Sequence, residues 1–146
     1  MVDNINEYPF HCATAVQLRF NDLDTLGHVN NSVYFQLFDL GKTDYFNRVN
    51  GAPLDWQRVT IMLVNVNCDF VEQTRFDEPL EVVTRMDNSG NSSLTLLQLL
   101  RNSDTGAVKC ACRSVSVHLD LDSAMPARVP DRWREAIARF EHRDFV

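Results

Sequence analysis

Apolar and polar positions along the chain follow two periods. Residues 12–20, CATAVQLRF, alternate loosely and predict a first strand. From Val33 the spacing turns helical, and Val33, Tyr34, Phe35, Leu37, Phe38, Leu40, Tyr45, Phe46 and Val49 cover well over half a helix circumference. A surface helix carries a narrower apolar stripe, so this one is expected to be enclosed by other elements. At 1.5 Å per residue it runs on the order of 27 Å, long enough to cross a sheet. Asn30, Asn31 and Ser32 at its start are N-cap types, whose side-chain oxygens take up free helix N–H groups. Asn50-Gly51-Ala52-Pro53 ends it with residues suited to a C-cap and a break.

Further runs at 59–72, 79–86, 93–101 and 107–121 are rich in β-branched and apolar residues and predict strands. DNSGN and NSDTG separate the last three and are turn clusters that favour antiparallel hairpins. In the final run the apolar parity moves from Val108, Cys110 and Cys112 to Val115, Val117, Leu119 and Leu121. A bulge near Arg113-Ser114 explains that shift, and so does burial on both faces. Pro130-Asp131 opens a short C-terminal helix with Trp133, Ile137 and Phe140 at i, i+4, i+7. The simplest solution is an α+β fold, with one long central helix wrapped by a curved five-stranded antiparallel sheet. With no repeat or linker, residues 1–146 read as one domain. A lone curved sheet leaves an edge and a face open, so a dimer whose sheets join is expected.

Composition removes several classes of function. The formal net charge of −6 argues against broad nucleic-acid binding, which needs a basic face to displace counterions. It leaves room for a small anion held by a few local arginines. No apolar run approaches the ~20 residues of a membrane-spanning helix. The segment 1–10, with Asp3 and Glu7, lacks the layout of a signal peptide. Cys12, Cys68, Cys110 and Cys112 form no zinc knuckle or CxxC pair. Cys110 and Cys112 share a strand face and are expected to pack as small apolar groups, with thiols reduced in a cytoplasm.

The candidate chemistry lies in residues 22–35, DLDTLGHVNNSVYF. The leading N–H groups of a helix lack intrahelical partners and carry partial positive charge. They can hold an oxyanion developing on a carbonyl. A carboxylate just upstream, Asp24, can attack that carbonyl or deprotonate a water that does. Asp24 also has a structural alternative, since aspartates often close turns. For Asp22, two residues before Asp24, a structural role is favoured. His118 and Asp120 share a face of the predicted last strand but have no third ligand at suitable spacing, so no metal site is expected.

The stretch RFNDLDTLGHVNNSVYFQLFDLGKTDYF, residues 19–46, resembles the signature D-x-D-x-x-G-H-V-N-N-x-x-Y of hotdog-fold acyl-CoA thioesterases, in the 4-hydroxybenzoyl-CoA thioesterase-like superfamily. FVEQTRFDEPLEVVTRM resembles that family's second and third strands. The resemblance implies a hotdog fold and hydrolysis of an acyl-CoA or acyl-carrier-protein thioester at a subunit interface, with the acyl chain beside the central helix. It implies a dimer or tetramer and no metal or organic cofactor. Asp24 falls where the family carries its catalytic carboxylate, as nucleophile or general base. Asn31 would offer the backbone N–H that polarises the carbonyl, with His28 and Asn30 lining or orienting the site. Gly27 would make the tight turn, and Tyr34 would pack near the acyl group or in the core. Asp39 and Lys42 stand where this branch commonly has Glu and Arg, so the charges are kept without the reach or the guanidinium fork. For the CoA phosphates the available cations are Arg75, Arg85, Lys109 and Arg113. Two other readings stay open: a hotdog hydratase or dehydratase using Asp24 and His28, and a non-catalytic acyl-CoA-binding module.

Overall fold

The computed structural model describes residues 2–145. Five strands form one antiparallel sheet: β1 (Cys12–Val16), β2 (Ile61–Phe70), β3 (Leu80–Ser89), β4 (Ser93–Asn102) and β5 (Val108–His118), in the order β1-β3-β4-β5-β2. The long helix α1 (Asn31–Asn50) lies across one face, and α2 (Asp131–Glu141) packs at its far end. This is the hotdog arrangement expected from the resemblance. Among the described residues, no helix is long and apolar enough to cross a membrane.

β1 is shorter than the alternation predicts. Its pairing stops at Val16↔Leu80, where Pro79 opposite has no N–H to continue the ladder. The chain then turns at Phe20–Asp22, where the buried Asp22 carboxylate accepts the Arg19 N–H at 2.7 Å and its guanidinium at 3.2 Å. Asp22 is thus structural, as expected. The final strand keeps an unbroken register past Arg113 and Ser114 on both sides, so no bulge there accounts for its parity; Val115 and Val117 are half-buried, while Leu119 and Leu121 lie beyond the strand's end. The irregularity that exists in this pairing lies on β2, between Leu63 and Asn65. β5 ends at His118, and Asp120 belongs to the following turn, where its carboxylate accepts the N–H groups of Asp122 and Ser123. His118 and Asp120 therefore do not share a strand face.

Cys110 and Cys112 of β5 pack in one cluster with Tyr34, Leu37 and Phe38 of α1. Hydrogen bonding with Cys68, and then burial, push both thiols up, consistent with packing groups rather than nucleophiles. The opposite sheet face carries Val83, Leu97, Leu99 and Ala111, covered by Val2, Ile5 and Phe10 of the N-terminal segment. Arg85, fully buried, fixes that segment by donating to the carbonyls of Asn4, Ile5 and Tyr8. The helix is enclosed by the sheet and, at its far end, by α2. Phe35 and Leu40 are 43% and 56% exposed.

Gly41 sets how closely α1 approaches the sheet. A Cβ built there would sit 2.5 Å from Val82 Cγ1 and 3.1 Å from Gln98 Nε2. Beside it, Gln98 Nε2 donates to the Phe38 carbonyl at 2.8 Å and to Thr84 Oγ1 at 3.1 Å. At the far end of α1, buried Glu141 accepts from Tyr45 Oη at 2.7 Å and from the Met86 N–H at 2.6 Å. Burial, followed by the adjacent Glu141, raises Tyr45 well above the usual phenol range, so it stays a donor.

Two stability tests follow. Gly41→Val forces helix and sheet apart and is expected to cost about 3 kcal/mol in urea unfolding; an unchanged midpoint would show that the close approach is dispensable. Burial holds the Glu141 carboxyl above its ordinary value, against hydrogen bonds from Tyr45 and Met86 and the charges of His11 and Arg143. The folded chain then keeps a proton that the unfolded chain has released. Stability therefore falls as pH rises from the ordinary carboxylate value to the raised folded one, and is flat above it. Glu141→Gln is expected to remove that slope, measured by urea midpoints across the acidic range.

Candidate functional site

The Asp24 loop is closed from both ends. Leu23 bridges to Val29, and the Asn30 N–H donates to the Asp22 carbonyl at 2.9 Å, which draws the loop into a small hairpin base. Within it the Asp24 N–H donates to the His28 carbonyl at 2.7 Å, and Gly27 N–H to the Asp24 carbonyl at 3.1 Å. Asp24 Oδ1 accepts the N–H groups of Leu26 at 2.9 Å and His28 at 3.1 Å. Gly27 makes the turn at φ +76°, a conformation that costs an L-residue about 1–2 kcal/mol. One carboxylate oxygen thus builds the turn, while Asp24 Oδ2 has no hydrogen-bond partner among the described residues. The residue is exposed.

The loop leads straight into α1. Asn30 is the N-cap, its Oδ1 accepting the Ser32 N–H at 3.0 Å and the Ser32 hydroxyl at 3.0 Å. The Val33 N–H donates to the Asn30 carbonyl at 2.9 Å. Two of the leading N–H groups are therefore spoken for. The Asn31 N–H has no acceptor among the described residues and lies at an exposed position. His28 is half-buried, with both backbone groups committed to the Asp24 turn.

Tyr34 sits on the first helical turn but points into the core. Its ring meets Phe70 edge-on at 5.2 Å, and its hydroxyl bonds Thr74 Oγ1 at 2.8 Å. Burial raises the phenol, which leaves it neutral. That contact anchors the β2–β3 connection beside the helix start. Nothing in the sequence marks Thr74 as a partner for Tyr34.

The four candidate cations separate clearly. Arg85 is buried under the N-terminal segment. Lys109 is buried and paired with Glu72 at 2.6 Å and Glu78 at 2.7 Å. Arg113 pairs with Asp87 and donates to the Asp3 carbonyl. Arg75, one residue after Thr74, is exposed and has no ion pair among the described residues. Lys42 and Asp39 approach each other at 3.7 Å along α1.

A cavity lies away from Asp24, at the other end of α1. It measures about 460 Å³ and is walled by Phe46, Leu54, Trp56, Ile61, Leu94 and Trp133. A shallower groove of about 240 Å³ shares Phe46, Trp56, Val59 and Ile61, and runs on past Lys42 to Leu63 and Ser116. The apolar periodicity of α2 contains Trp133. Trp56 lies in a single 3-10 turn, too short for a pattern to reveal. His118 Nδ1 lies 3.2 Å from the Ala127 carbonyl, which turns the ring's other edge to this cavity. Among the described residues, no group of three or more His, Cys, Asp or Glu side chains is arranged to hold a metal ion.

The family model of the thioesterase-like superfamily matches residues 18–137. The chain is similar to the Bacillus subtilis (strain 168) protein YsmA, described as uncharacterized, at 33% identity over 127 residues, covering 84% of this chain and 82% of that one. Among solved structures it is similar to a Thermus thermophilus thioesterase complexed with coenzyme A and Zn, at 29% identity and TM-score 0.83, covering 93% of this chain and 98% of the other. A predicted thioesterase from Bacillus stearothermophilus aligns at 26% identity and TM-score 0.80, covering 88% and 95%. The helix start with its unpartnered N–H, and the loop before it with its half-committed carboxylate, thus lie within a sequence and fold of one family: the chain belongs to the thioesterase-like superfamily, and by class it is a thioester hydrolase.

Proposed function

We propose that the protein hydrolyses an acyl-CoA thioester, with Asp24 as nucleophile or general base and the Asn31 N–H as oxyanion donor. The observation that carries this reading is the unpartnered Asn31 N–H at the start of α1, reached through a loop whose Asp24 carboxylate keeps one oxygen uncommitted. The thioester carbonyl docks on that N–H, where the helix dipole stabilises the oxyanion. Attack by Asp24 Oδ2 expels the CoA thiolate and leaves a mixed anhydride that water hydrolyses. Alternatively Asp24 takes a proton from water, whose oxygen attacks and expels the same thiolate. Either route releases the free acid and CoA thiol, and neither needs a metal or an organic cofactor.

Supporting roles follow from position. Gly27 and Asn30 hold the turn and the cap, and His28 borders the approach to Asp24. Tyr34 fixes the first helical turn through Thr74. Arg75, the exposed one of the four cations, is assigned to a CoA phosphate. A second copy of the chain is assigned to the open β2 edge, giving a homodimer.

Asp24→Asn keeps an Oδ1 acceptor for the turn and loses the nucleophile or base. Thiol release from acyl-CoA is expected to fall roughly 10²–10⁴-fold at an unchanged melting temperature; near-normal release would overturn the assignment, and hydration of an enoyl-CoA without thiol release would favour a hydratase. Arg75→Ala is expected to raise KM for CoA thioesters by roughly tenfold with little change in kcat, the loss of one charged phosphate contact. An unchanged KM at low and high salt would remove Arg75 from the phosphate site.

A further inference from the structure

Three of the four cysteines meet on the face of the sheet that carries α1. Cys68 on the edge strand β2 stands directly opposite Cys112 on β5, and Cys110 stands opposite Phe70. Cys110 and Cys112 are buried in the cluster with Tyr34, Leu37 and Phe38, and Cys68, half-buried, packs against the same cluster. The chemistry proposed for Asp24 uses none of the three.

Spacing decides which two sulfurs can join. Directly opposite residues of an antiparallel pair have Cα atoms about 4.5–5.5 Å apart, within the roughly 4.4–6.8 Å that a disulfide spans. Cys68 and Cys110 are diagonal neighbours at about 7–8 Å, too far to bridge without moving the backbone. Cys110 and Cys112 are two steps apart on one strand, about 6.8 Å, and their side chains run parallel instead of converging. Cys68 and Cys112 are therefore the pair in bridging register.

Charge separates their roles. Hydrogen bonds from the thiols of Cys110 and then Cys112 hold Cys68 well below the usual thiol value, against burial and the charge of Asp69. The half-exposed sulfur is thus also the thiolate, the form that reacts. Cys112 is pushed up first by its bond to Cys68, then by burial and the Cys68 charge, while Lys42 of α1 lowers it and Asp39 raises it. Once Cys68 loses its negative charge, the first of these obstacles is gone and the Lys42 ammonium favours a Cys112 thiolate.

We infer that Cys68 and Cys112 form a reversible modification site, at which hydrogen peroxide joins the two thiols as a cross-strand disulfide within one chain. The Cys68 thiolate attacks one peroxide oxygen, the O–O bond breaks, and hydroxide leaves a Cys68 sulfenic acid behind. The Cys112 thiolate then attacks that sulfur, the S–O bond breaks, and a second hydroxide departs. The two hydroxides take up the protons that the thiols released. Two thiols and one peroxide thus give one disulfide and two waters, with sulfur oxidised and peroxide oxygen reduced. Cys110 orients and stabilises the Cys68 thiolate without joining it. Small thiols reverse the step by exchange at the half-exposed Cys68 and are themselves oxidised to a disulfide. The site does not depend on the reading of Asp24.

The test treats the reduced chain, freed of small thiols, with hydrogen peroxide, alkylates the remaining thiols and maps the chain without reductant by tandem mass spectrometry. The expected result is an intact mass lower by two hydrogens before alkylation and a link between Cys68 and Cys112. Cys12, buried and raised by burial, is the internal control and is expected to be alkylated, as is Cys110. Dithiothreitol is expected to return all four thiols. Cys68→Ser and Cys112→Ala lose the link, Cys110→Ala keeps it, and in Cys112→Ala dimedone labels Cys68. No link at a peroxide dose that oxidises free cysteine in the same solution overturns the inference. A link to Cys110, a link between two chains, or dimedone labelling at Cys110 or Cys12 overturns it equally. The map of the unsubstituted chain reads the pairing by itself, so the test stands even where a buried alanine variant folds poorly.

Discussion

The close approach of α1 to the sheet at Gly41 is the constraint on which the rest of the structure depends. A twenty-residue helix laid over a curved sheet can slide or rotate on an apolar surface, because hydrophobic contact is non-directional. Gly41 removes the side chain that would hold the two layers apart. Gln98 then pins the helix with a directional bond to the Phe38 carbonyl, buried where an unpaired amide would be expensive. With the middle fixed, both ends are fixed too. The start of α1 is held against Phe70 and Thr74, and its end against α2 through Tyr45 and Glu141. The orientation of the Asn31 N–H is a remote consequence of a missing Cβ.

The sheet's other face shows why several charges in the strands are not available for ligands. Arg85 is committed to three carbonyls of the N-terminal segment and stacks over Tyr8 and Phe10. Arg113 ties Asp87 and the Asp3 carbonyl to the same seam. A buried guanidinium with several carbonyl acceptors is a structural clamp, since removing it would strand those acceptors. Arg75 differs because it lies in the β2–β3 connection, outside the sheet and beside the helix start.

The hotdog architecture is legible in the sequence because its signals are local. The helix start, the turn clusters and the alternating runs each lie within a few residues, and the motif from Asp22 to Tyr34 is contiguous. Strand limits are less legible, since β1 ends where Pro79 on another strand can no longer pair with it. The parity shift in β5 fits a bulge or two-sided burial equally well from sequence. In the structure its even positions stay buried from Cys110 through Ser116, while Val115 and Val117 on the other face are half-buried. The Tyr34–Thr74 contact and the Trp56–Trp133 cavity unite residues far apart in sequence and without period. The apolar pattern of the helix overstates its enclosure for a related reason. Phe35 and Leu40 continue the apolar pattern yet remain exposed.

In the proposed reaction, Asp24 combines a structural role with a chemical one. Its Oδ1 holds the N–H groups of Leu26 and His28, so the carboxylate is oriented before any substrate arrives. An unanchored aspartate would have to give up side-chain freedom to reach a reactive geometry, and that loss would be charged to the reaction barrier. Here it is met in folding, by the same bonds that close the turn. Asn30 does the equivalent for the helix start: it takes up the Ser32 N–H, while the exposed Asn31 has no acceptor for its N–H among the described residues. The cap and the turn are therefore the means by which one carboxylate oxygen and one backbone donor are kept both fixed and free.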